Sequence, residues 1–392
     1  MHALPRDASL LFRKAGERRA HRRGAAGRDA PVIDSPPPPL RIGDLTASLP
    51  IIQGGMGVGV SLSGLAAAIA NEGGVGVIAC AGIGMIEPDL FQNFEAANLR
   101  ALRKEIRRAR EASKGILGVN IMVALSNFTD LVKTALDEGI DLIFSGAGLP
   151  LDLPRYRRGG DRTRLVPIVS SGRAAKIIAK RWMERYDYPP DAVVVEGPRA
   201  GGHLGFKPEH IADPTYALER LLAEVLVEIK PFETKAGRPI PVVPGGGIYT
   251  GADLHRFLQL GAAGVQMATR FVTTHECDAS LAFKEAYLRA SPEDLIIICS
   301  PVGMPGRAIR NQFLEDVKAG KRMPFTCPYH CIVTCDYTNS PYCIALALIN
   351  AQRGRMNHGF AFAGENAHRA TEIVSVKALV QTLLAEYRAA SG

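Results

Sequence analysis

The chain alternates short apolar runs with longer stretches in which apolar residues recur at helical spacing. From Pro50 onward the short runs are rich in Val and Ile and have few polar positions, which indicates strands that are buried on both faces. The longer stretches carry one apolar face, as amphipathic helices do. The predicted strands span residues 51–53, 75–79, 117–122, 142–145, 165–170, 192–196, 241–244 and 264–268. The predicted helices span residues 63–72, 95–113, 127–138, 173–186, 216–229, 252–260 and 279–288, and a Gly/Pro-rich loop follows the fourth strand.

This alternation predicts an α/β protein built as a closed (β/α)8 barrel, the TIM barrel. Helical connections force neighbouring strands to be parallel, and eight such units in succession close into a barrel. The rival fold is an open, doubly wound sheet that binds a dinucleotide. Residues 54–59 are as rich in glycine as such a site, but the acidic residue expected about 20 positions later, at the end of a second strand, is missing.

The pattern changes after Arg289, where Gly and Pro interrupt the chain and cysteines concentrate. Two further helices are predicted, at residues 311–319 and 375–387. We therefore divide the chain into a disordered basic leader at residues 1–39, a barrel domain at 40–289 and a mainly helical, Cys-rich appendage at 290–392.

The composition is that of a folded protein of 392 residues. Hydrophobic residues make up 47% and charged residues 22% of the chain, which supplies a large core, and no apolar run reaches the roughly 18 residues of a membrane span. The net charge is +8, but much of it falls in residues 1–41, which carry nine Lys or Arg and four acidic residues. Because the rest of the chain is nearly balanced, a nucleic-acid-binding surface is not expected.

The leader has neither the long apolar segment nor the small-residue cleavage site of a secretory signal. We interpret it as a disordered segment or a misassigned start, with an Arg-rich organelle transit peptide as the alternative. Seven cysteines are an odd number, and without an export signal they favour reduced thiols in a cytoplasmic protein.

Active sites of such barrels form at the carboxyl ends of the strands, and there this chain is rich in glycine. Gly245–Gly247 follows the seventh strand, and Gly264 opens the eighth, which runs on to Thr269. Bare backbone N–H groups at helix starts can surround a phosphate, so these strand ends predict a phosphate-bearing cofactor. A simple turn from strand to helix would not need three successive glycines. After the first strand, the glycine backbone of Gly54–Met56 could lie close to a flat ring, with Met56 as a polarizable contact.

His203 follows the sixth strand within a Gly-rich loop. A histidine is more often a surface or core residue than a catalyst. Here the flanking Gly201 and Gly202 leave the ring room to face the barrel mouth, and we predict that His203 is a catalytic group.

Six segments carry a resemblance to a known family: Pro50–Met56, Gly118–Met122, Ala200–His203, Gly245–Ile248, Gly264–Arg270 and the post-barrel Ser300–Arg307. Together they resemble the nitronate monooxygenases, formerly called 2-nitropropane dioxygenases, and the FMN-dependent enoyl-acyl-carrier-protein reductases of the same superfamily. The resemblance runs from about Leu40 to Asn311. It implies a TIM barrel that binds FMN without a covalent bond.

The resemblance also implies a role for each matching residue. Those that would border or contact the flavin ring system are Gly54, Gly55, Met56, Asn120 and Gly201. Those that would hold the ribityl phosphate are Gly246, Gly247, Gln266, Met267, Ala268 and Thr269. His203 matches the catalytic acid/base. Ala268 stands where family members often have glycine, a change too small to block a phosphate.

Two activities fit this set of residues. In a nitronate monooxygenase, His203 with a near-neutral pKa takes the α-proton of a nitroalkane or orients its nitronate, FMN is reduced, and O2 then gives a carbonyl compound and nitrite. In an enoyl thioester reductase, NAD(P)H reduces FMN and His203 helps to protonate the α-carbon. The sequence of residues 195–206 resembles that of the monooxygenases more closely than that of the reductases. A non-catalytic flavin-binding protein is a third interpretation, which the presence of His203 disfavours. The expected partners are a small-molecule substrate and O2 or NAD(P)H, with neither nucleic acid nor a membrane.

Four cysteines fall close together in the appendage: Cys327, Cys331, Cys335 and Cys343. The first three are spaced to share one face of a helix, where they would pack as reduced thiols in a core. Prolines within the segment disfavour a continuous helix and so allow the chain to fold around an iron–sulfur cluster or a zinc ion. The spacing matches neither the common zinc pairs nor the usual ferredoxin runs, so all three interpretations stay open here.

Overall fold

A computed structural model describes residues 35–90, 92–323, 325–327 and 330–392. Most of the predicted leader, residues 1–34, lies outside these ranges. Ser35–Gly392 is one compact unit. None of its described helices is both long and apolar enough to cross a membrane.

The strands lie where the sequence has short Val- and Ile-rich runs, because β-branched side chains fit a pleated, buried surface. In chain order the described strands are β1 (Leu40–Ile42), β2 (Leu45–Ala47), β3 (Ile51–Gln53), β4 (Val75–Ala79), β5 (Ile116–Met122), β6 (Leu142–Gly146), β7 (Arg164–Val169), β8 (Val193–Glu196), β9 (Gly202–His203), β10 (Val242–Gly245), β11 (Val265–Met267), β12 (Leu295–Cys299) and β13 (Pro305–Ile309). Every predicted barrel strand overlaps an observed one.

Strands β3 to β8, β10 and β11 close into one barrel, and all neighbouring pairs are parallel. The barrel closes between β11 and β3, where Met267 pairs with Gln53. The predicted (β/α)8 TIM barrel is therefore confirmed in the described part of the chain. The hairpin of β1 and β2, which the sequence pattern did not predict, adds Leu40 and Ile42 to the buried cluster inside the barrel.

The described α-helices are α1 (Ser63–Asn71), α2 (Phe94–Ala112), α3 (Phe128–Asp137), α4 (Gly172–Tyr186), α5 (Leu218–Ala236), α6 (Gly251–Gln259), α7 (Thr269–Val272), α8 (Leu281–Arg289), α9 (Gln312–Lys318), α10 (Ile344–Gln352) and α11 (Val376–Ser391). Within the described ranges, the connection from β6 to β7 contains one short 3-10 turn in place of a long helix, as the Gly/Pro-rich sequence indicates.

Close packing inside the barrel fixes the strands that carry the site. Val77, Phe144 and Val194 are buried together there. Gly118 makes room for Phe144, because a Cβ at position 118 would lie 2.7 Å from the Phe144 ring. Between strands and helices, Trp182 is fully buried and its indole N–H donates a hydrogen bond to the Pro150 carbonyl.

The segment after Arg289 contains helices, as predicted, and also two strands that the sequence analysis did not predict. β12 and β13 form an antiparallel hairpin, and β13 also pairs with β9 in the loop after the sixth barrel strand. The run of one Leu and three Ile in β12 is a strand signal that the sequence analysis passed over. The predicted helices at residues 311–319 and 375–387 correspond to α9 and α11, whereas α10 is an addition. The β9–β13 pairing joins the appendage to the barrel's catalytic face.

The start of α1, just beyond the glycine loop after β3, depends on a carboxylate from far along the chain. Asp278 accepts hydrogen bonds from the backbone N–H groups of Leu62 at 2.8 Å, of Leu65 at 3.2 Å and of Gly64 at 3.2 Å. The N-cap residue Leu62 has no side-chain oxygen to do this, and the helix dipole adds to the attraction of the charge.

We expect Asp278→Ala to lower the free energy of unfolding by about 2–3 kcal/mol, because three backbone donors lose a charged acceptor. Chemical denaturation measures the loss. The matched control is Glu111→Ala on the exposed face of α2, which should change the stability by less than about 0.5 kcal/mol. Equal losses for the two variants would show that the Asp278 bonds do not support this helix.

Candidate active site

A cavity of about 540 Å³ opens at the carboxyl ends of the barrel strands. It collects every residue that the sequence assigned to cofactor binding or catalysis: Gly54, Gly55, Met56, Asn120, Gly201, His203, Gly246, Gly247, Gln266, Met267, Ala268 and Thr269. The predicted residues thus come together in space, although their individual roles stay predictions. The structure adds walls from the appendage, among them Met304, Ile332, Ile344, Leu348 and Phe362.

The glycines after β3 are required by the chain's own packing. A Cβ on Gly55 would lie 2.5 Å from the Asn120 Cβ, and a Cβ on Gly54 would lie 3.2 Å from the Ala268 Cβ. The Gly54 N–H donates to the Met267 carbonyl at 2.8 Å. These contacts leave no room for side chains at the two glycines, and both line the cavity with bare backbone.

The glycines after β10 adopt a conformation that other residues rarely reach. Gly246 has φ +97° and Gly247 has φ +86°, both in the left-handed region. A Cβ on Gly246 would meet the Gly197 carbonyl oxygen at 2.9 Å, so a bulky substitution there would disturb the neighbouring loop as well as any bound phosphate. Gly246 and Gly247 are therefore needed for the backbone conformation of this turn, whether or not a phosphate is bound.

The appendage also contacts Gly247 and Thr269, two of the residues that are predicted to hold the phosphate. The sequence analysis did not predict these contacts. The Asn366 side-chain amide donates to the Gly247 carbonyl at 2.7 Å. The Thr269 hydroxyl, at the first residue of α7, accepts a hydrogen bond from the Gly364 N–H at 3.0 Å. The N-cap residue Ala268 has no polar side chain, so side-chain oxygens do not compete for the N–H groups at the start of this short helix.

His203 lies on β9 with its ring held from two sides. Its Nε2 is 2.7 Å from the Ser300 hydroxyl, and the ring of Phe362 packs edge-on against it at 5.0 Å between centroids. Burial lowers the pKa of His203 to about 4, well below the near-neutral value predicted from sequence. The imidazole is therefore neutral at physiological pH and has a free ring nitrogen that can accept a proton.

The loop from β8 to β9 is held by a buried arginine. Arg307 is only 5% exposed, and one guanidinium nitrogen donates to the carbonyls of Pro198 at 2.7 Å and Ala200 at 2.9 Å. Gly306 and Arg307 pair with His203 and Gly202 across the β9–β13 ladder. Arg307 belongs to the post-barrel segment noted in the sequence, but its role there could not be assigned without the pairing.

Glu196 is a second titratable group that the sequence analysis did not select. It ends β8 and lines the cavity, and burial raises its pKa to about 7. The other charged side chain among the described lining residues is Arg199, which is largely exposed and pairs with Glu365 at 3.1 Å. Most of the other lining residues are apolar side chains or glycines.

Of the interpretations that the sequence left open for the four appendage cysteines, the structure does not support a metal centre in the described residues. Cys331 lines the cavity, and burial together with Cys343, Cys327 and Cys335 raises its pKa to about 12. Among the described residues, no group of three or more His, Cys, Asp or Glu side chains could hold a metal ion, and all four cysteines are free thiols.

The residues present fit FMN. Gly54 and Gly55 line the cavity without side chains, Asn120 and Gln266 supply amides, and Gly246 and Gly247 line it with bare backbone. Such an apolar cleft with a few convergent polar groups is typical of cofactor sites.

Comparison with known proteins gives a consistent result. The family model described as nitronate monooxygenase matches residues 40–386. A nitronate monooxygenase of Pseudomonas aeruginosa is 31% identical over 382 residues, covering 86% of this chain and 96% of its own. A (3aS,4S,5R,7aS)-5-hydroxy-7a-methyl-1-oxo-octahydro-1H-indene-4-carboxyl-CoA dehydrogenase of Mycobacterium tuberculosis is 29% identical over 274 residues, covering 70% of this chain and 66% of its own. The solved structure of FabK from Thermotoga maritima has a TM-score of 0.66 and 27% identity, covering 87% of this chain and 93% of its own.

We expect the pKa of His203 to be controlled by burial and not by its hydrogen bond. Phe362→Ala, which admits water to the ring, should raise the pKa toward the ordinary value of about 6.5, whereas Ser300→Ala should leave it low. An NMR titration of labelled histidine, assigned with His203→Asn, measures this. A wild-type pKa near 6.5 would contradict the account.

Proposed function

The chain belongs to the nitronate monooxygenase family and is a flavin-dependent oxidoreductase, and from this premise we propose that it binds FMN and oxidises nitronates and their parent nitroalkanes. The expected products are a carbonyl compound and nitrite, with O2 as the co-substrate. The observation that carries the proposal is the neutral His203 held in an apolar cavity between two glycine-rich strand ends.

When bound, FMN supplies the two-electron acceptor that the substrate reduces and O2 reoxidises. Gly54, Gly55 and Asn120 would face the ring system. Residues 246–247 and 266–269 would hold the phosphate with backbone N–H groups, which need no side-chain cation.

His203 is the proton acceptor in this proposal. Its Nε2 lies 2.7 Å from the Ser300 hydroxyl, and the proposal places the ring proton on Nε2, as the donor of this hydrogen bond. Nδ1 is then unprotonated and can take the α-proton of a nitroalkane. Because the cavity walls keep the imidazole neutral, this form is available across the physiological pH range.

An enoyl thioester reductase with NAD(P)H as reductant is the second candidate. The likeness to FabK at 27% identity favours it, as does the extent of the apolar wall formed by Phe94, Leu125, Leu149 and Ile332, which exceeds what a small nitroalkane covers. The same His203 would then help to protonate the α-carbon.

We expect the purified protein to be yellow and to release FMN rather than FAD when it is denatured. In titrations of the flavin-free protein, riboflavin should bind at least about 100-fold more weakly than FMN, because it lacks the phosphate that the two strand ends would hold. Comparing the two flavins tests the phosphate site without the packing damage of a Gly246 substitution. Equal affinities, or a protein that binds no flavin, would contradict the assignment.

We expect His203→Asn to retain flavin but to slow turnover of a neutral nitroalkane by about 10²–10⁴-fold. The loss with a pre-ionised nitronate should be smaller, since its proton has already left. The matched control is His255→Asn on α6, outside the cavity lining, which should leave both rates unchanged. If His203→Asn turns over both substrates at wild-type rates, His203 is not the proton acceptor.

A further inference from the structure

The cavity wall includes a cationic side chain that the proposed function does not use. Arg199 lines the cavity, and among the described lining residues it is the one Lys or Arg side chain. It lies in the loop between β8 and β9, and β8 is the neighbour of β10 in the barrel. Arg199 therefore lies in the loop next to the glycine turn that follows β10, the turn formed by Gly246 and Gly247.

The aliphatic part of Arg199 packs against this turn. A Cβ on Gly247 would lie 2.9 Å from the Arg199 Cβ and 3.1 Å from its Cδ. The backbones of the two loops are also joined, because the Gly197 N–H donates to the Gly245 carbonyl at 2.9 Å. The guanidinium begins at the atom bonded to Cδ, so the positive charge lies beside the turn that the phosphate is proposed to occupy.

In the structure, Arg199 is paired with Glu365. The Arg199 Nε lies 3.1 Å from the Glu365 Oε2, and the two side chains are 69% and 45% exposed. An ion pair so open to water is screened and stabilises a protein little, so Arg199 can leave Glu365 at small cost. A phosphate dianion is a stronger partner, because it carries more charge and its oxygens match the paired N–H groups of a guanidinium.

The segment that carries Glu365 is held beside the turn by bonds that do not involve the Glu365 carboxylate. The Glu365 N–H donates to the Arg199 carbonyl at 3.1 Å, and the Asn366 side-chain amide donates to the Gly247 carbonyl at 2.7 Å. Loss of the pairing between the two charged side chains therefore leaves the backbone of this segment attached to both loops.

We propose that Arg199 is a further cofactor-binding residue, whose guanidinium exchanges Glu365 for the phosphate of FMN. This inference rests on the proposed binding of FMN. Backbone N–H groups can hold a phosphate, but they carry only partial charges, and Arg199 adds a full positive charge beside them. Because an arginine does not lose its proton in a protein, this contribution is present at every physiological pH.

Titration of the flavin-free, full-length protein with FMN and with riboflavin tests the contact. Arg199→Gln should weaken FMN binding about tenfold, because the phosphate loses a charge-assisted hydrogen bond, whereas riboflavin, which has no phosphate, should bind as it does to wild type. The matched control is Arg289→Gln. Arg289 pairs with Glu285 at 3.1 Å with similar exposures of 65% and 41%, and it is not among the described cavity-lining residues, so neither affinity should change.

Glu365→Gln tests the exchange of partners. Without the carboxylate, Arg199 has no ion pair to give up and the phosphate has no negative charge beside it. FMN should therefore bind about two- to fivefold more tightly than to wild type, and riboflavin binding should not change. Added salt should weaken FMN binding to wild type more than to Arg199→Gln, because salt screens the exposed charge that the variant lacks.

The results distinguish failure of this inference from failure of the proposed function. If Arg199→Gln keeps the wild-type preference for FMN over riboflavin, Arg199 does not contact the phosphate and the inference is overturned. If Arg199→Gln and Glu365→Gln both weaken FMN and riboflavin to the same extent, the ion pair has only a structural role, which also overturns it. If wild type itself binds the two flavins equally or binds neither, the proposed phosphate site is wrong, and the assignment of Arg199 is wrong with it.

Discussion

The buried guanidinium of Arg307 is the interaction on which the catalytic face depends. A barrel strand ends at Glu196, and the chain that follows has no regular structure of its own until it reaches the two residues of β9. Arg307 fixes that loop by bonding to the carbonyls of Pro198 and Ala200, while β13 pairs with His203 itself. The post-barrel hairpin thus sets the position of His203, and the hydroxyl of Ser300, which precedes β13, forms a hydrogen bond with the imidazole.

The second determinant is the largely apolar lining of the cavity. Apolar side chains from the barrel and the appendage surround the site, and removal from water favours the neutral form of any ionisable group. The same physical cause therefore lowers the pKa of His203 and raises that of Glu196.

The sequence predicted the barrel well because buried parallel strands and amphipathic helices give distinct, repeating patterns. Strand ends could be located, and with them Gly54, Asn120 and Gly246, which the structure places in one cavity. What the sequence could not show is contact between distant segments. The pairing of β13 with β9 and the bond between Asn366 and Gly247 link residues that no local pattern connects. Protonation states escaped prediction for the same reason, since burial is a property of the folded chain. The cysteine spacing left a metal site open, but the described residues contain no group of side chains that could hold a metal ion.

The central claim is that a nitronate, and not a nicotinamide, reduces the flavin in this cavity. Anaerobic stopped-flow spectroscopy of the flavin-loaded protein, mixed in turn with propyl nitronate, NADH and NADPH, tests it most directly. The account predicts rapid bleaching of the flavin band by the nitronate and little or none by either nicotinamide within the same time. Rapid bleaching by NADH or NADPH with an inert nitronate would contradict it and identify a reductase.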